Sequence, residues 1–328
     1  MFHWDSCKRP IVALAPMAGV TDASLRQLQK SLAPEVIVFT EFLSIDAIAY
    51  GAKKTLQMLA FDAALERPFI VQIFGNDLGH IASSCAIIEE MGADGIDINM
   101  GCPAAKIVSS CYGSALLRRR DLAIKVVEAA VNAAKIPVSV KTRLGWENAE
   151  DLIPFCKKLV DAGAAALSIH GRTYKDKFGG SADWNPIYEL KRQVSVPVLG
   201  NGDIRSAADA IAKIGNLDGV MVGRGTIGNP WLLREICDVL RGVTLTPPLT
   251  LEQKIPVILR HCELAVKYKG ERRGIIEMRK HFGGYIKGFD GAKELRMRLM
   301  ETETMEEVES ALSVVRSQYP LMKDLAAS

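Results

Sequence analysis

The 328-residue sequence predicts an α/β fold: a (β/α)₈ TIM barrel followed by a smaller all-helical C-terminal domain. Eight short β-branched apolar runs recur along the first 225 residues, and helix-like segments separate them. The runs are nearly continuous rather than alternating, which is typical of parallel strands covered by helices. Eight strand–helix alternations favour a barrel. A doubly wound open sheet is the alternative, although no G-x-G-x-x-G follows the first run.

The predicted strands share β-branched residues and end in small or polar ones. They are IVALAP from Ile11, EVIVFTEF from Glu35, FIVQIFG from Phe69, GIDINMG from Gly95, VSVKTRLG from Val138, ALSIHGR from Ala166, VPVLGNGD from Val196 and GVMVGRG from Gly219. Two of the intervening helices have plausible N-cap residues, Asp77 and Asp121.

The pattern changes after GVTLTPPLT, residues 242–250. The Pro247–Pro248 pair is a linker signal, and only helix-like segments follow it. We therefore expect a barrel domain over residues 1–245 and a helical domain over 246–328.

Bulk properties exclude several classes of protein. The formal net charge is only +3, so any nucleic-acid surface must be local. No apolar run reaches the roughly 18 residues of a membrane helix, and the N-terminus lacks the apolar region of a secretory signal. Seven cysteines without CxxC spacing favour a reducing compartment, and no zinc-ligand spacing occurs. We expect a cytoplasmic monomer without a metal, a membrane or an obligate protein partner.

Polar residues lie where nearly every predicted strand ends. In barrel enzymes the carboxyl ends of the strands carry the chemistry, so these residues predict a site. They are Gln72, Asn99, Cys102, Lys141, Arg143, His170, Arg172, Asn201, Asp203 and Arg224.

The last two strand ends, GNGD and GRG, are glycine-rich. Glycine lets backbone N–H groups approach a phosphate, and the loops after strands seven and eight are the usual phosphate site of this architecture. Arg224 adds charge there. These features predict a phosphorylated ligand of the length of flavin mononucleotide (FMN), with an amine donor at its pyrimidine edge as the reason for Lys141.

At this point the sequence resembles the tRNA-dihydrouridine synthases, and the bacterial B-type enzymes in particular. The motifs that carry the resemblance, in order between residues 15 and 225, are APMAGVTD, INMGCPAAK, GSALL, VKTRLGW, IHGRT, ADW, GNGDI and MVGRG. The resemblance covers nearly the whole chain. The resemblance implies a flavin-containing barrel, a helical tRNA-binding domain, and reduction of one tRNA uridine with NADPH recharging the FMN.

The resemblance also implies individual roles. Contacts to the flavin ring would come from Ala15, Pro16 and Met17, its polar edge would meet Gln72, Lys141 and His170, and its ribityl chain and phosphate would meet Asn201, Gly202, Asp203, Gly223 and Arg224. The uracil would meet Asn99 and Arg143, and Cys102 would be the proton donor.

The chemistry explains why a cysteine follows the strand in DINMGCP, residues 97–103. Reducing the uracil double bond requires a hydride at carbon 6 and a proton at carbon 5. A thiol with a pKa of about 8.5 is mostly protonated at neutral pH and can donate. The glycine and proline beside Cys102 shape the loop that presents it.

Three segments depart from the family pattern. The stretch SSCYGSALL contains Cys111, which we interpret as structural, and the bulky Tyr112. Phe178 replaces a common tyrosine, which puts any hydroxyl contact there in doubt. The basic run Arg118–Arg120 is either an RNA contact or a solvated surface.

Residues 250–300 contain 12 Lys and Arg against 6 Asp and Glu. The spacing of seven between Arg273, Lys280 and Lys287 predicts one helix face, with Arg272 and Arg279 beside it. Such a face suits a phosphate backbone, so we expect tRNA contacts from Arg273, Arg279, Lys280 and Lys287. A solvated surface would look similar.

Two other functions compete with this interpretation. A small-molecule FMN reductase of the dihydroorotate dehydrogenase type would explain the barrel and the phosphate site, but it would not need the basic helical domain. An RNA-binding protein without catalysis would not need the Cys102, Lys141 and His170 set.

Overall fold

The computed structural model describes residues 2–245 and 247–318. Its strands are β1 (Ile11–Leu14), β2 (Ile37–Phe39), β3 (Leu43–Ser44), β4 (Phe69–Phe74), β5 (Gly95–Asn99), β6 (Val138–Arg143), β7 (Ala166–His170), β8 (Val198–Asn201) and β9 (Gly219–Val222). Every pairing between them is parallel.

Eight of these strands close into a barrel. Strand β1 pairs with both β2 and β9, and β2 also pairs with β4, so the ring is complete without β3. The short β3 pairs beside β4 at its carboxyl end. The predicted (β/α)₈ barrel is confirmed, and each of the eight predicted runs contains one barrel strand.

Helices cover the barrel between successive strands. They are α1 (Ala23–Leu32), α2 (Ile45–Ala49), α3 (Lys53–Met58), α4 (Leu78–Glu90), α5 (Ala105–Ser109), α6 (Arg120–Ala133), α7 (Leu152–Asp161), α8 (Asn185–Lys191), α9 (Ala207–Ile214) and α10 (Leu232–Leu240). Asp77 caps α4 as predicted, because its carboxylate accepts from the His80 N–H. The predicted cap at Asp121 is wrong: α6 already begins at Arg120, so Asp121 lies in its first turn.

Alternate residues of each barrel strand face opposite sides, as the period of two in a strand requires. Val12 and Leu14 of β1 pack outward in the main apolar cluster, whereas Ile11 and Ala13 belong to the interior cluster. The interior cluster also contains Trp4, Ile37, Phe39, Ile70, Ala166, Leu199 and Met221. Toward the carboxyl ends of several strands the inward-facing residues are polar. The polar residues that the sequence predicted for a site are therefore found at that end of the barrel.

The chain divides into two compact units, Met1–Thr226 with Trp231–Thr244 and Ile227–Pro230 with the chain from Leu245 onward. The second unit contains α11 (Leu251–Lys269), α12 (Glu271–Tyr285), α13 (Ala292–Glu301) and α14 (Met305–Gln318). Thr250 and Gln253 form a capping box at the start of α11. No helix in the described part of the chain is long and apolar enough to cross a membrane.

The predicted position of Lys287 on a helix face is wrong. Helix α12 ends at Tyr285, and Ile286 leaves helical geometry with φ −100° and ψ 83°. Gly283 and Gly284 precede this residue and the Ile286 side chain is fully buried, so low helix propensity and packing together account for the end of the helix. Lys287 therefore follows the helix, whereas Arg273 and Lys280 lie within it.

Candidate active site at the barrel mouth

Strand register brings the predicted polar residues together at one end of the barrel. Asn99 pairs with Lys141 across β5 and β6, and Arg143 pairs with His170 across β6 and β7. His170 in turn pairs with Asn201 on β8. These five predicted site residues thus lie toward the carboxyl ends of four adjacent strands, β5 to β8.

Lys141 is the central cation of this mouth. Its Nζ donates to Asn201 Oδ1 at 3.2 Å, and Asn201 Nδ2 donates to the Met221 carbonyl at 2.8 Å. Burial and the neighbouring Arg143 lower the pKa of Lys141 to about 8, against the opposing effects of Asp97 and Cys102. The group is therefore still mainly an ammonium at pH 7.

His170 is buried and neutral. Burial, followed by the charges of Lys141, Arg143 and Arg172, holds the pKa of its imidazole far below the ordinary value. The Arg172 Nη1 lies 3.4 Å from His170 Nε2. Because a guanidinium only donates, Nε2 is the acceptor of that contact, which leaves Nδ1 as the protonated nitrogen of the neutral ring.

Asp203 holds the loop after β8 at the mouth. Its Oδ2 accepts from Arg172 Nη2 at 2.7 Å and from the Ala182 N–H at 2.8 Å. Burial raises the pKa of this carboxyl, but these hydrogen bonds and the Arg172 and Arg224 charges outweigh it and lower the pKa. Its Oδ1 is buried and has no hydrogen-bond partner among the described residues, although Arg224 Nη2 lies 3.7 Å away.

The glycines at the strand ends permit close approach. Gly202 has φ +129°, and a Cβ there would lie 2.7 Å from the Ala182 Cβ. A Cβ on Gly223 would lie 3.3 Å from the Met17 sulfur and 3.5 Å from the Ala15 Cβ. The structure thus brings Ala15, Met17 and Gly223 together, and Pro16 connects two of them in the chain.

Phe178 lies between two cations at the mouth. Its ring centroid is 5.7 Å from the Arg143 guanidinium carbon and 5.5 Å from that of Arg224. The phenyl ring is 57% exposed. Phenylalanine supplies the cation–π contact without a hydroxyl, so Phe178 positions Arg224 by its ring face alone.

Cys102 is held by its backbone on both sides. Its N–H donates to Asn99 Oδ1 at 2.9 Å, and its carbonyl accepts from the Ser114 N–H at 3.1 Å. Gly113 has φ +58°, and a Cβ there would lie 2.9 Å from the Cys102 carbonyl oxygen. Burial raises the pKa of the Cys102 thiol, while the Ala104 N–H, Arg143 and Lys141 act in the opposite direction. The thiol is therefore protonated at neutral pH.

Arg143 joins the Cys102 loop to the loop after β7. Its Nε donates to the Gly101 carbonyl at 2.7 Å, and its Nη1 donates to the carbonyls of Thr173 and Lys177 at 3.0 and 2.8 Å. The residue is 2% exposed. Arg143 therefore acts in this structure as a loop clamp next to the predicted uracil site.

Gln72 lies deeper than its predicted role at a cofactor edge suggests. It is fully buried, donates to Asp97 Oδ2 at 2.7 Å and accepts from Asn99 Nδ2 at 2.8 Å. Asp97, which contacts Gln72, was not among the residues that the sequence predicted for the site. The signal was its place two residues before Asn99 on the same strand, hence on the same inward face.

The other departures from the family pattern have structural partners. Cys111 has φ +60°, and its carbonyl accepts from Asn76 Nδ2 at 3.3 Å. Arg118 lies 5.1 Å from the Trp146 ring centroid, and Arg120 forms an ion pair with Asp151. Arg118 and Arg120 therefore each have a contact within the protein, so an RNA contact is not needed to explain them.

The basic residues of the second unit lie among carboxylates. Arg273 Nε and Lys280 Nζ lie 2.8 and 3.8 Å from oxygens of Glu277. Arg272 makes a two-point contact with Glu303, and Arg279 Nη2 donates to the Thr302 carbonyl at 3.3 Å. Acidic neighbours therefore offset part of the predicted positive charge.

The fold is a parallel TIM barrel. Polar side chains lie at the carboxyl ends of its strands, which is where enzymes of this architecture have their active sites. Histamine dehydrogenase from Rhizobium sp. 4-9 has the same fold, with a TM-score of 0.55 and 13% identity over 77% of this chain, a match that spans 48% of that chain. The structure of TcOYE with pHBA matches with a TM-score of 0.51 and 12% identity, over 73% of this chain and 90% of that chain.

The family is defined by sequence. The family model described as dihydrouridine synthase (Dus) matches residues 13–319, and the chain belongs to this family. A probable tRNA-dihydrouridine synthase of Rickettsia bellii is 38% identical over 289 residues, 87% of this chain and 88% of that protein. The tRNA-dihydrouridine synthase B of Pseudomonas aeruginosa is 37% identical over 296 residues, 88% of this chain and 89% of that protein. The resemblance noted in the sequence is confirmed.

Proposed function

We propose that this protein reduces one uridine of tRNA to 5,6-dihydrouridine, using bound FMN with NADPH as the electron donor. The observation that carries the proposal is a protonated, partly buried thiol, Cys102, held at a cationic barrel mouth in a dihydrouridine synthase chain. The relatives reported above are named for this activity.

The donors and acceptors at the mouth fit a flavin nucleotide. The Lys141 ammonium would donate to the electron-rich pyrimidine edge of the ring. Asp203 Oδ1, a buried acceptor without a hydrogen-bond partner among the described residues, suits a ribityl hydroxyl. Arg224, with a side chain 55% exposed, and the glycine-rich strand ends suit the phosphate. When bound, the flavin would supply the hydride for carbon 6 of the uracil.

The chain's own residues would supply the proton and the geometry. The thiol of Cys102 would donate its proton to carbon 5, and its raised pKa keeps it in the donating form. Asn99 and Arg143 would meet the uracil while holding the Cys102 loop through their contacts with Cys102 N–H and the Gly101 carbonyl. His170, being neutral, would offer its Nδ1–H as a donor to the cofactor.

The two units would have different functions, catalysis and tRNA binding. Residues 1–245 would form the catalytic barrel, and residues from 246 onward would bind tRNA through Arg273, Arg279, Lys280 and Lys287. Arg273 and Lys280 are exposed on α12, and Lys287 is exposed just after it. The target uridine would have to leave its base stack to reach the barrel mouth, as in other enzymes that modify bases.

Two experiments test the proposal. The flavin released from purified protein by denaturation should be FMN. Mapping of dihydrouridine in tRNA from cells that lack the gene should show the loss of dihydrouridine at a defined position, restored by the intact gene. An unchanged dihydrouridine map, with no flavin in the protein, would exclude this function.

A further inference from the structure

A chain of hydrogen bonds runs from the barrel interior to the Cys102 loop. Ser139 Oγ donates to Asp97 Oδ1 at 2.6 Å, and Gln72 Nε2 donates to Asp97 Oδ2 at 2.7 Å. Asn99 Nδ2 donates to Gln72 Oε1 at 2.8 Å. The N–H groups of Gly101 and Cys102 then donate to Asn99 Oδ1 at 3.1 and 2.9 Å.

The two ends of this chain have fixed polarity, whereas its middle does not. An ionised carboxylate only accepts hydrogen bonds, and a backbone N–H only donates. Gln72 and Asn99 lie between these ends, and a primary amide can rotate to exchange its oxygen and nitrogen. Asp97 and Gln72 are fully buried and Asn99 is 6% exposed, so water does not compete for these bonds.

We propose that Asp97 is a positioning residue: the acceptor oxygen that it presents to Gln72 sets the amide orientation of Gln72 and Asn99 and thereby the place of Cys102. Its consequence for uridine reduction depends on the function proposed above. Burial raises the pKa of Asp97 to about 6, against hydrogen bonds from Gln72 and Ser139 and the charge of Lys141. The carboxyl is therefore mainly ionised at pH 7.5 and above, where the test is made.

Single substitutions at the two ends have different expected effects. In Asp97→Asn the side-chain oxygen can face Gln72 while the amide nitrogen faces Ser139 Oγ, which can accept because its proton can turn to the Ile96 carbonyl, 3.4 Å away. The chain of hydrogen bonds therefore still runs in the same donor-to-acceptor direction. In Asn99→Asp one oxygen still accepts from the loop, but an acceptor must now face an acceptor on one side of Gln72. The conflict lies at position 99 if Gln72 keeps its orientation, and at Asp97 if Gln72 turns.

The double variant Asp97→Asn/Asn99→Asp permits the reverse direction. Gln72 can turn its nitrogen toward the new carboxylate at position 99 and its oxygen toward the new amide at position 97. The amide oxygen at position 97 can then accept from Ser139 Oγ. Every donor again faces an acceptor, so the double variant should recover what Asn99→Asp loses.

The primary readout is the rate at which iodoacetamide alkylates Cys102 at pH 7.5, in flavin-containing protein that also carries Cys7→Ser and Cys111→Ser. The other four cysteines are buried. Asp97→Asn should stay within about threefold of the parent, and Asn99→Asp should differ from it by about tenfold or more. The alkylation rate of the double variant should lie at least about fivefold closer to the parent rate than the rate of Asn99→Asp does. Val71→Ala, on the outward face of the strand that carries Gln72, is the control for simple destabilisation.

The second readout is single-turnover oxidation of the reduced protein by unmodified tRNA, which should follow the same order. The NADPH reduction step is measured separately in each variant, so that a change in the flavin is distinguished from a change at Cys102. A double variant that alkylates at the rate of Asn99→Asp would overturn the proposal. Where Asn99→Asp does not fold, recovery of folded protein in the double variant supports the proposal and its absence overturns it. If the parent protein does not reduce tRNA, the proposed function fails, but alkylation still decides the role of Asp97.

Discussion

The ammonium of Lys141 on β6 donates to the side chain of Asn201 on β8, at 3.2 Å, and so spans the end of β7. His170 ends β7 between these two residues. The cation is thereby held beside a neutral imidazole, and burial lowers the pKa of Lys141 to about 8. This arrangement presents a positive donor at the barrel mouth and makes its proton sensitive to pH above neutrality.

The flavin-free protein should show this titration in its stability. On unfolding, the pKa of Lys141 returns from about 8 toward 10.5, so between these values the unfolded chain holds more protons. The free energy of unfolding should rise with pH there, by at most about 1.4 kcal/mol per pH unit from this group. Below pH 8 both states hold the proton, and the contribution is constant.

Urea denaturation of wild type and Lys141→Met from pH 7 to 10 measures this contribution as a difference. The variant should lack the part of the rise that belongs to Lys141. Lys30, whose pKa burial also lowers to about 8, contributes equally to both proteins. The exposed Lys53→Met is the matched control. Parallel stability curves for wild type and Lys141→Met would show that folding does not lower the pKa of Lys141.

Arg224→Ala should weaken flavin binding. The substitution removes a charge-assisted contact to the proposed phosphate, worth roughly 1.5–3 kcal/mol, or about 10- to 150-fold in the dissociation constant. Fluorescence titration of flavin-free protein with FMN measures the effect. Arg192→Ala, an exposed arginine paired with Glu189 on α8, should bind FMN as wild type does. Equal affinities for all three proteins would contradict this placement of the phosphate.

The two cysteines of the loop after β5 should differ in function. Cys102→Ala should keep its flavin and its reduction by NADPH, while dihydrouridine formation slows by roughly 10²–10⁴-fold, the usual contribution of a positioned general acid. Cys111→Ala should retain most activity, since its carbonyl rather than its thiol makes the contact with Asn76. Single-turnover kinetics compares them at the chemical step. Loss of that step in Cys111→Ala alone would assign the proton to the other cysteine.

The affinity for tRNA should fall when the basic residues on and just after α12 are removed, and should rise when a neighbouring carboxylate is removed. A variant with Arg273, Lys280 and Lys287 changed to Ala should bind tRNA more weakly, and the slope of log K against log salt should flatten by up to about 0.9 per lost phosphate contact. Glu277→Gln removes the carboxylate next to Arg273 and Lys280, so it should strengthen binding and steepen the slope. A salt slope that neither substitution changes would mean that this surface is only solvated.

The sequence was sufficient for the barrel because each strand is an apolar run closed by polar residues, and eight such runs have one common architecture. The sequence also predicted that Lys141, His170 and Cys102 lie at or just beyond the carboxyl ends of strands, and the structure has them there. Their roles stay predictions. The sequence was not sufficient for Asp97, whose proposed role depends on which strand face points inward and on Gln72 from a neighbouring strand. That information is tertiary.

The end of α12 shows the same limit. The spacing of Arg273, Lys280 and Lys287 fits a helix, but the chain leaves helical geometry at the buried Ile286, before the third of them. The pair Gly283–Gly284 and the later Gly288, with φ +83°, were the local signals of that end. The carboxylates that contact the basic residues could not be assigned from spacing alone, since Glu303 lies far along the chain from Arg272.

The most direct test of the account is to reduce the flavin-loaded protein with NADPH, add unmodified tRNA, and map the product by mass spectrometry of its nuclease fragments. The account predicts that flavin is reoxidised in step with the gain of two hydrogens at one uridine, and that Cys102→Ala forms little of this product in the same time. Oxidation of the flavin without any hydrogenated uridine, or product formation by Cys102→Ala at the wild-type rate, would contradict it.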